Sequence, residues 1–170
     1  MSGPARIERR PSAWQPGRLL LLALLLVAGC GAVPPHAPQA HVRHMGGQVM
    51  PFDLSRTVHL FRMTETGGVQ RVLIRDADAS EQVALIRGHL EHEARAFQRG
   101  DYADPARLHG AQMPGLKELQ AGAARVKVIY AALPDGAEIR FETTDPALLT
   151  AIHRWFGAQL SEHGADARAE

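Results

Sequence analysis

One stretch constrains the fold more than any other: "ARVKVIYAALPDGAEIRFETTDPALLTAIHRWFGAQLSEHG", from Ala124 to Gly164. Apolar and polar residues alternate on either side of Pro134-Asp135-Gly136, which predicts two strands joined by a tight turn. Asp145 followed by Pro146 is an N-cap with proline at the first helical position. Leu149, Ile152, Phe156 and Leu160 then recur at helical spacing, so a helix follows the hairpin.

The same plan is written upstream. "RTVHLFRM" (Arg56 to Met63) and "VQRVLI" (Val69 to Ile74) flank "TETGG". They predict a hairpin whose Gly67-Gly68 supplies positive φ angles. In "DADASEQVALIRGHLEHEARAFQRG", Asp78 and Glu81 have the spacing of a capping box. Val83, Ile86, Leu90, Ala94 and Phe97 form the apolar stripe, and Gly100 closes the helix. Ile86 corresponds to Ile152 and Leu90 to Phe156, so the domain over residues 52–164 reads as a duplicated ββα unit. One hairpin and one helix cannot bury their faces alone. Two units together predict an α+β fold: a four-stranded antiparallel sheet with two helices on one face. The order ββαββα is a circular permutation of the ferredoxin-like βαββαβ. Between the units, "DYADPARLHGAQMPGLKELQAGA" predicts two short helices, the first opened by Asp104-Pro105 and stopped by Gly110.

The N-terminal third has a different character. Arg6, Arg9, Arg10 and Arg18 precede an apolar run from Leu19 to Ala28. That run falls short of the roughly 20 residues a spanning helix needs. A basic start, a short apolar stretch and small residues at its end describe an export signal over residues 1–29. It ends Val27-Ala28-Gly29-Cys30, which resembles a lipoprotein cleavage box, with the single cysteine of the chain as the lipid attachment point. Several acyl chains on Cys30 would anchor the protein to a membrane, at about 0.8 kcal/mol per buried methylene. Gly31 at the next position favours the periplasmic side of the outer membrane over retention at the inner one. Residues 30–51, rich in Pro, Gly, His and Met without helical or strand period, read as a flexible tether. Residues 165–170 read as a disordered tail.

Charge narrows the functions open to such a domain. Removing the four Arg and one Glu of residues 1–29 leaves 15 basic and 17 acidic side chains, a net charge of −2. That balance gives no pull towards nucleic acid. No second cysteine exists to form a disulfide, so stability rests on an apolar core. The chain has no GxSxG, phosphate loop or glycine-rich strand-to-helix turn, and Ser55, Ser80 and Ser161 lack a nucleophile context. Enzyme activity is the least supported class.

Nine histidines are the chemical signal that remains. His36, His41 and His44, with Met45 and Met50, lie in the tether, where a solvated role suffices. His92 projects away from the apolar stripe of its helix, and nothing in the alternation fixes which sheet face His59 occupies. His89 and His153 flank the stripes of the two long helices, and His163 continues the second stripe to its end. His109 and Met113 share the short connector that Pro114 stiffens. Imidazole and thioether suit copper or haem in an exported protein without free thiols. The candidate ligand set is therefore His89, His109, Met113, His153 and His163, although no HExxH, CxxC or CxxCH spacing supports it. The competing class is an anchored protein-interaction or small-ligand-binding module whose histidines are structural.

"MPFDLSRTVHLF", "GGVQRVLI", "ALIRGHLEHEA", "HGAQMPGL", "LPDGAEI" and "DPALLTAIHRWFGAQLSEHG" resemble a family of small exported bacterial proteins often labelled aspartate carbamoyltransferase. The resemblance runs from Met50 to about Gly164. It implies an exported bacterial protein, and its label implies carbamoyl transfer. Such transferases cradle carbamoyl phosphate with Ser-Thr-Arg-Thr at a helix start. The nearest match here, Ser55-Arg56-Thr57, is one residue short and leads into a strand, which offers no helix N-terminal amides. Their two α/β domains also exceed what one domain of this size can hold. Carbamoyl transfer is not expected.

Overall fold

The computed structural model describes residues 37–170, with Gly3. The expected export signal, Cys30 and His36 lie outside the described residues.

Both expected hairpins form. Thr57–Thr64 (β1) pairs antiparallel with Gly67–Ile74 (β2), and Lys127–Leu133 (β3) with Gly136–Glu142 (β4). The hairpins join through their second strands, with Gln70 opposite Ile139 and Val72 opposite Ala137. A fifth strand, Ala167–Ala169 (β5), runs parallel to β1 with Ala167 opposite His59, giving the order β3-β4-β2-β1-β5. The sheet is thus five-stranded and mixed, where a four-stranded antiparallel sheet was expected. Its last strand occupies the segment expected to be a disordered tail. Three residues carry no readable alternation. Long-range ion pairs hold the segment instead: Arg75 with Asp166 at 3.2 Å and Arg71 with Glu170 at 2.9 Å.

Of the expected pair only Gly67 has a positive φ, 153°, and the hairpin glycines stand next to the turns, where close packing needs them. The turns are Glu65-Thr66 and Pro134-Asp135, and Gly67 and Gly136 each open the returning strand. A Cβ on Gly67 would lie 1.9 Å from the Phe141 carbonyl oxygen, and one on Gly68 2.5 Å from the Phe156 ring. Glycine lets β2 approach β4 and the second long helix that closely.

That helix, Pro146–His163 (α5), starts as expected: Asp145 Oδ1 accepts from the amides of Ala147 and Leu148. Its buried line is Leu148, Ile152, Trp155, Gln159 and His163, so Leu149 and Leu160 sit at the margin of the core rather than its centre. The first long helix, Gln82–Gln98 (α2), begins later than expected. Asp78, in a short 3-10 turn at Ala77–Ala79, and Glu81 make no capping hydrogen bond to it; both pair with the Arg56 guanidinium just ahead of β1. Ile86, Leu90, Ala94 and Phe97 are buried as the stripe predicts, with Val83 at the margin.

α2 and α5 cover one face of the sheet, where Phe61, Val72, Ile139 and Phe141 meet Ile86, Phe97, Trp155 and Phe156. Each of these side chains contributes roughly 1.5–3 kcal/mol on burial. The connector folds into Ala103–His109 (α3), ended by Gly110 at φ 93°, and Leu116–Gly122 (α4). Among the described residues no helix is long and apolar enough to cross a membrane.

The described part of the expected tether is also ordered. Ala37–Val49 is a helix (α1) packed on α3 and α5. Val42 is buried, Met45 and Val49 pack on the core, and a Cβ on Gly46 would meet Leu54 at 2.4 Å. Residues 42, 45, 46 and 49 are one helical face in which glycine holds a contact position, so the stripe is hidden from a hydrophobicity reading. Tertiary packing overrides the poor propensity of Gly46-Gly47.

Candidate functional site

Four histidines from four elements of the fold line one cavity. His59 is on β1, with its side chain on the helix-covered face beside Phe61. His89 lies at mid-α2, His109 is the last residue of α3, and His163 the last of α5. His163 touches both His59 and His109, so these three imidazoles meet. The His59 and His163 rings stack at 4.8 Å between centroids and 25° between planes, and His109 meets His163 edge-on at 5.0 Å. Phe52 meets His89 edge to face at 5.6 Å between centroids.

The cavity has a volume of about 40 Å³, and Gln70, Glu93, Asp104, Trp155 and Gln159 line it along with these histidines. Its walls are unusual in leaving polar atoms unserved. Among the described residues, His59 Nδ1, His163 Nδ1, His109 Nε2, Gln70 Oε1, Gln159 Nε2 and Trp155 Nε1 are buried without a hydrogen-bond partner. Buried polar atoms are almost always paired, and each orphan costs about 1–3 kcal/mol. Of the seven such atoms among the described residues, six belong to side chains that line this one space.

The tautomer of His109 follows from its partner. Its Nδ1–H donates to Glu162 Oε2 at 2.8 Å, so the Nε2 lone pair is the one turned inward. A carboxylate behind an imidazole in this way orients the ring and raises its basicity as a ligand. Burial keeps the whole set neutral. It pushes the His59 pKa down to about 3, with His89 and His109 adding to the effect, and the His89 pKa down to about 4. His163 is lowered well below the ordinary range by burial and by the two imidazoles beside it. His109 is lowered by burial, against the opposing pull of Glu162. Glu93 moves the other way: burial, then Asp104 and Asp101, raise it to about 8. At neutral pH the cavity therefore presents imidazole lone pairs and a protonated carboxyl group.

Of the five ligands expected from the sequence, His89, His109 and His163 line the cavity, whereas Met113 and His153 do not. Met113 is buried in the apolar core. The His153 Nε2–H donates to the carbonyls of Thr64 and Gly67 and ties α5 to the first hairpin turn, an entirely structural task. His92, His41 and His44 are exposed, while Met50 reaches the cavity wall. Sequence reading missed His59, Glu93 and Asp104. One signal was present: Glu93 follows His89 by four residues, which puts both on one helical face.

Imidazole lone pairs in a small polar cavity can ligate a cation or organise a few waters, for which this volume suffices. Among the described residues no group of three or more His, Cys, Asp or Glu side chains is arranged to hold a metal ion as it stands. Ligation therefore requires the imidazole rings to turn. No family model, curated protein or solved structure matches the chain.

Proposed function

We propose that the chain is an exported, lipid-anchored accessory protein that binds a transition-metal ion between the ends of α3 and α5. The observation that carries this reading is the set of three inward imidazole nitrogens without partners, His59 Nδ1, His109 Nε2 and His163 Nδ1, at one cavity. Imidazole suits zinc, copper, nickel and iron. The rings of His59 and His163 lose no hydrogen bond at Nδ1 when they turn towards an ion, whereas His109 already points its lone pair inward. Haem is set aside on size, since a cavity of about 40 Å³ is roughly tenfold below the pockets that take ligands of that class. The ending Val27-Ala28-Gly29-Cys30 supports the anchor, and the resemblance to small exported bacterial proteins agrees with it.

The second reading keeps the anchor and fills the cavity with ordered water, which makes the domain a protein-interaction or small-ligand-binding module. It is favoured by the unconverged state of the donor atoms. Thermal unfolding of the mature chain in detergent separates the two. An ion at 100 times its Kd raises the stability of a binding protein by about 2.7 kcal/mol. A rise with Cu(II), Ni(II) or Zn(II) that His109→Ala and His163→Ala each abolish supports the metal reading. No rise with any of them supports the module.

A further inference from the structure

We propose that β3, the long outer strand of the sheet, pairs antiparallel with the same strand of a second copy, so that two chains share one continuous sheet. In the order β3-β4-β2-β1-β5 one edge is the three-residue β5 and the other is β3, seven residues long. β3 pairs with β4 in unbroken register, so no bulge turns it away, and it holds no proline and a single charge, Lys127, at its start. Natural edges of this length are blunted by such devices or are paired. Backbone parity identifies the open groups. The Ile74 amide donates to the Asp135 carbonyl, so the odd-numbered residues of β4 bond β2 and its even-numbered residues bond β3. Lys127, Ile129, Ala131 and Leu133 are therefore bonded to β4, while Val128, Tyr130 and Ala132 turn their N–H and C=O groups outwards.

α2 serves only the ends of this edge. Gln98 Nε2 donates to the Val128 carbonyl at 2.8 Å, and Arg87 donates to the carbonyls of Leu133 and Pro134. Among the described residues nothing bonds the outward groups of Tyr130 and Ala132, of which Ala132 is exposed and Tyr130 half-buried. Charge complementarity argues that the occupant is a second copy. A two-fold axis between antiparallel edges must pass an outward residue, and at Tyr130 the overlap is longest. Tyr130 then faces its counterpart, Val128 faces Ala132, and Lys127 faces Leu133. Two residues further, Arg125 meets Asp135 of the other copy, and the symmetry repeats this contact at the opposite end. Both side chains are available. Arg125 is 62% exposed with its Nε on Asp145, and Asp135 is exposed and makes no ion pair among the described residues. No like charges oppose each other in this register.

The test is analytical ultracentrifugation of the mature chain in detergent, which should find a dimer. Ala132→Pro removes an outward N–H and no bond within the chain. It should keep the wild-type melting temperature and weaken the dimer at least about tenfold. Asp135→Lys should weaken it as well, and Arg125→Glu added to Asp135→Lys should restore it. Oxidation reads the register: Lys127→Cys with Leu133→Cys sets thiols opposite each other across the axis and should give a disulfide-linked dimer. Leu133→Cys alone should give none. A monomeric chain overturns the inference, whatever else the edge then pairs with. So does a dimer that Ala132→Pro leaves intact, or one that Leu133→Cys alone links as well as the pair does. The metal reading of the cavity stands or falls separately from these outcomes.

Discussion

His109 and Glu162 sit at the ends of α3 and α5, and their 2.8 Å hydrogen bond fixes which imidazole nitrogen faces the cavity. The contact is side chain to side chain between residues 53 apart in sequence, and Glu162 is 23% exposed, so it can be altered without disturbing the core. Glu162→Gln should lower metal affinity about 10- to 100-fold, because a neutral amide orients the ring less firmly and leaves it less basic. Its melting temperature without metal should stay close to wild type. Equal affinities in the two proteins would show that Glu162 only neutralises the surface.

The buried titratable groups predict a stability maximum in the metal-free protein. The four imidazoles have folded pKa values below the ordinary 6.5, so they bind fewer protons folded than unfolded. Their contribution is complete above 6.5 and is lost as pH falls towards the folded values, about 3 for His59 and about 4 for His89. Glu93, raised from 4.5 to about 8, has the opposite sign: its contribution is complete below 4.5 and lost as pH rises through 8. Four imidazoles outweigh one carboxyl on the acid side, and Glu93 acts alone between 6.5 and 8. Urea midpoints measured in chelator should therefore peak at about pH 6 to 7, and Glu93→Gln should remove the alkaline decline while keeping the acid one. An alkaline decline that persists in the variant contradicts the assignment.

Glycine packing gives a third expectation. Gly68→Ala drives a methyl group into the Phe156 ring and should destabilise the domain by about 1–3 kcal/mol. Gly47→Ala, on α1 with nothing within 4 Å of the new Cβ, should instead stabilise it by about 0.4–1 kcal/mol. Denaturant unfolding of the two variants decides this, and similar shifts in both would contradict the close approach of β2 to α5.

The anchor is tested separately from the site. Cys30→Ala should abolish incorporation of labelled fatty acid and leave the export signal uncleaved at that position. Normal labelling of the variant would remove the lipid-anchor reading and leave the cavity untouched.

What the sequence disclosed follows from the range of the interactions. Both hairpins, the Asp145 cap with Pro146, and the α2 stripe from Ile86 to Phe97 depend on neighbours within a few residues, and all are legible there. β5 is not, because its register against β1 depends on Arg71 and Arg75, some 90 residues earlier. α1 is hidden because Gly46 occupies an apolar contact position. The capping box at Asp78 and Glu81 was a correct spacing drawn away by Arg56. In the site, His163 was legible as the end of a buried stripe. His59 was not, since alternation gives two faces without saying which one the helices cover. His153 matched the same stripe margin as His89, and only the tertiary fold separates a residue that caps a turn from one that faces the cavity.

The central claim is that the inward imidazoles bind a metal ion, and native mass spectrometry of the mature chain tests it most directly. The chain, freed of metal with chelator and then given one equivalent each of Cu(II), Ni(II) and Zn(II), should retain one bound ion. His109→Ala and His163→Ala, each shown folded by circular dichroism, should retain none. A wild-type chain that carries no ion, or variants that carry as much as wild type, would contradict the account.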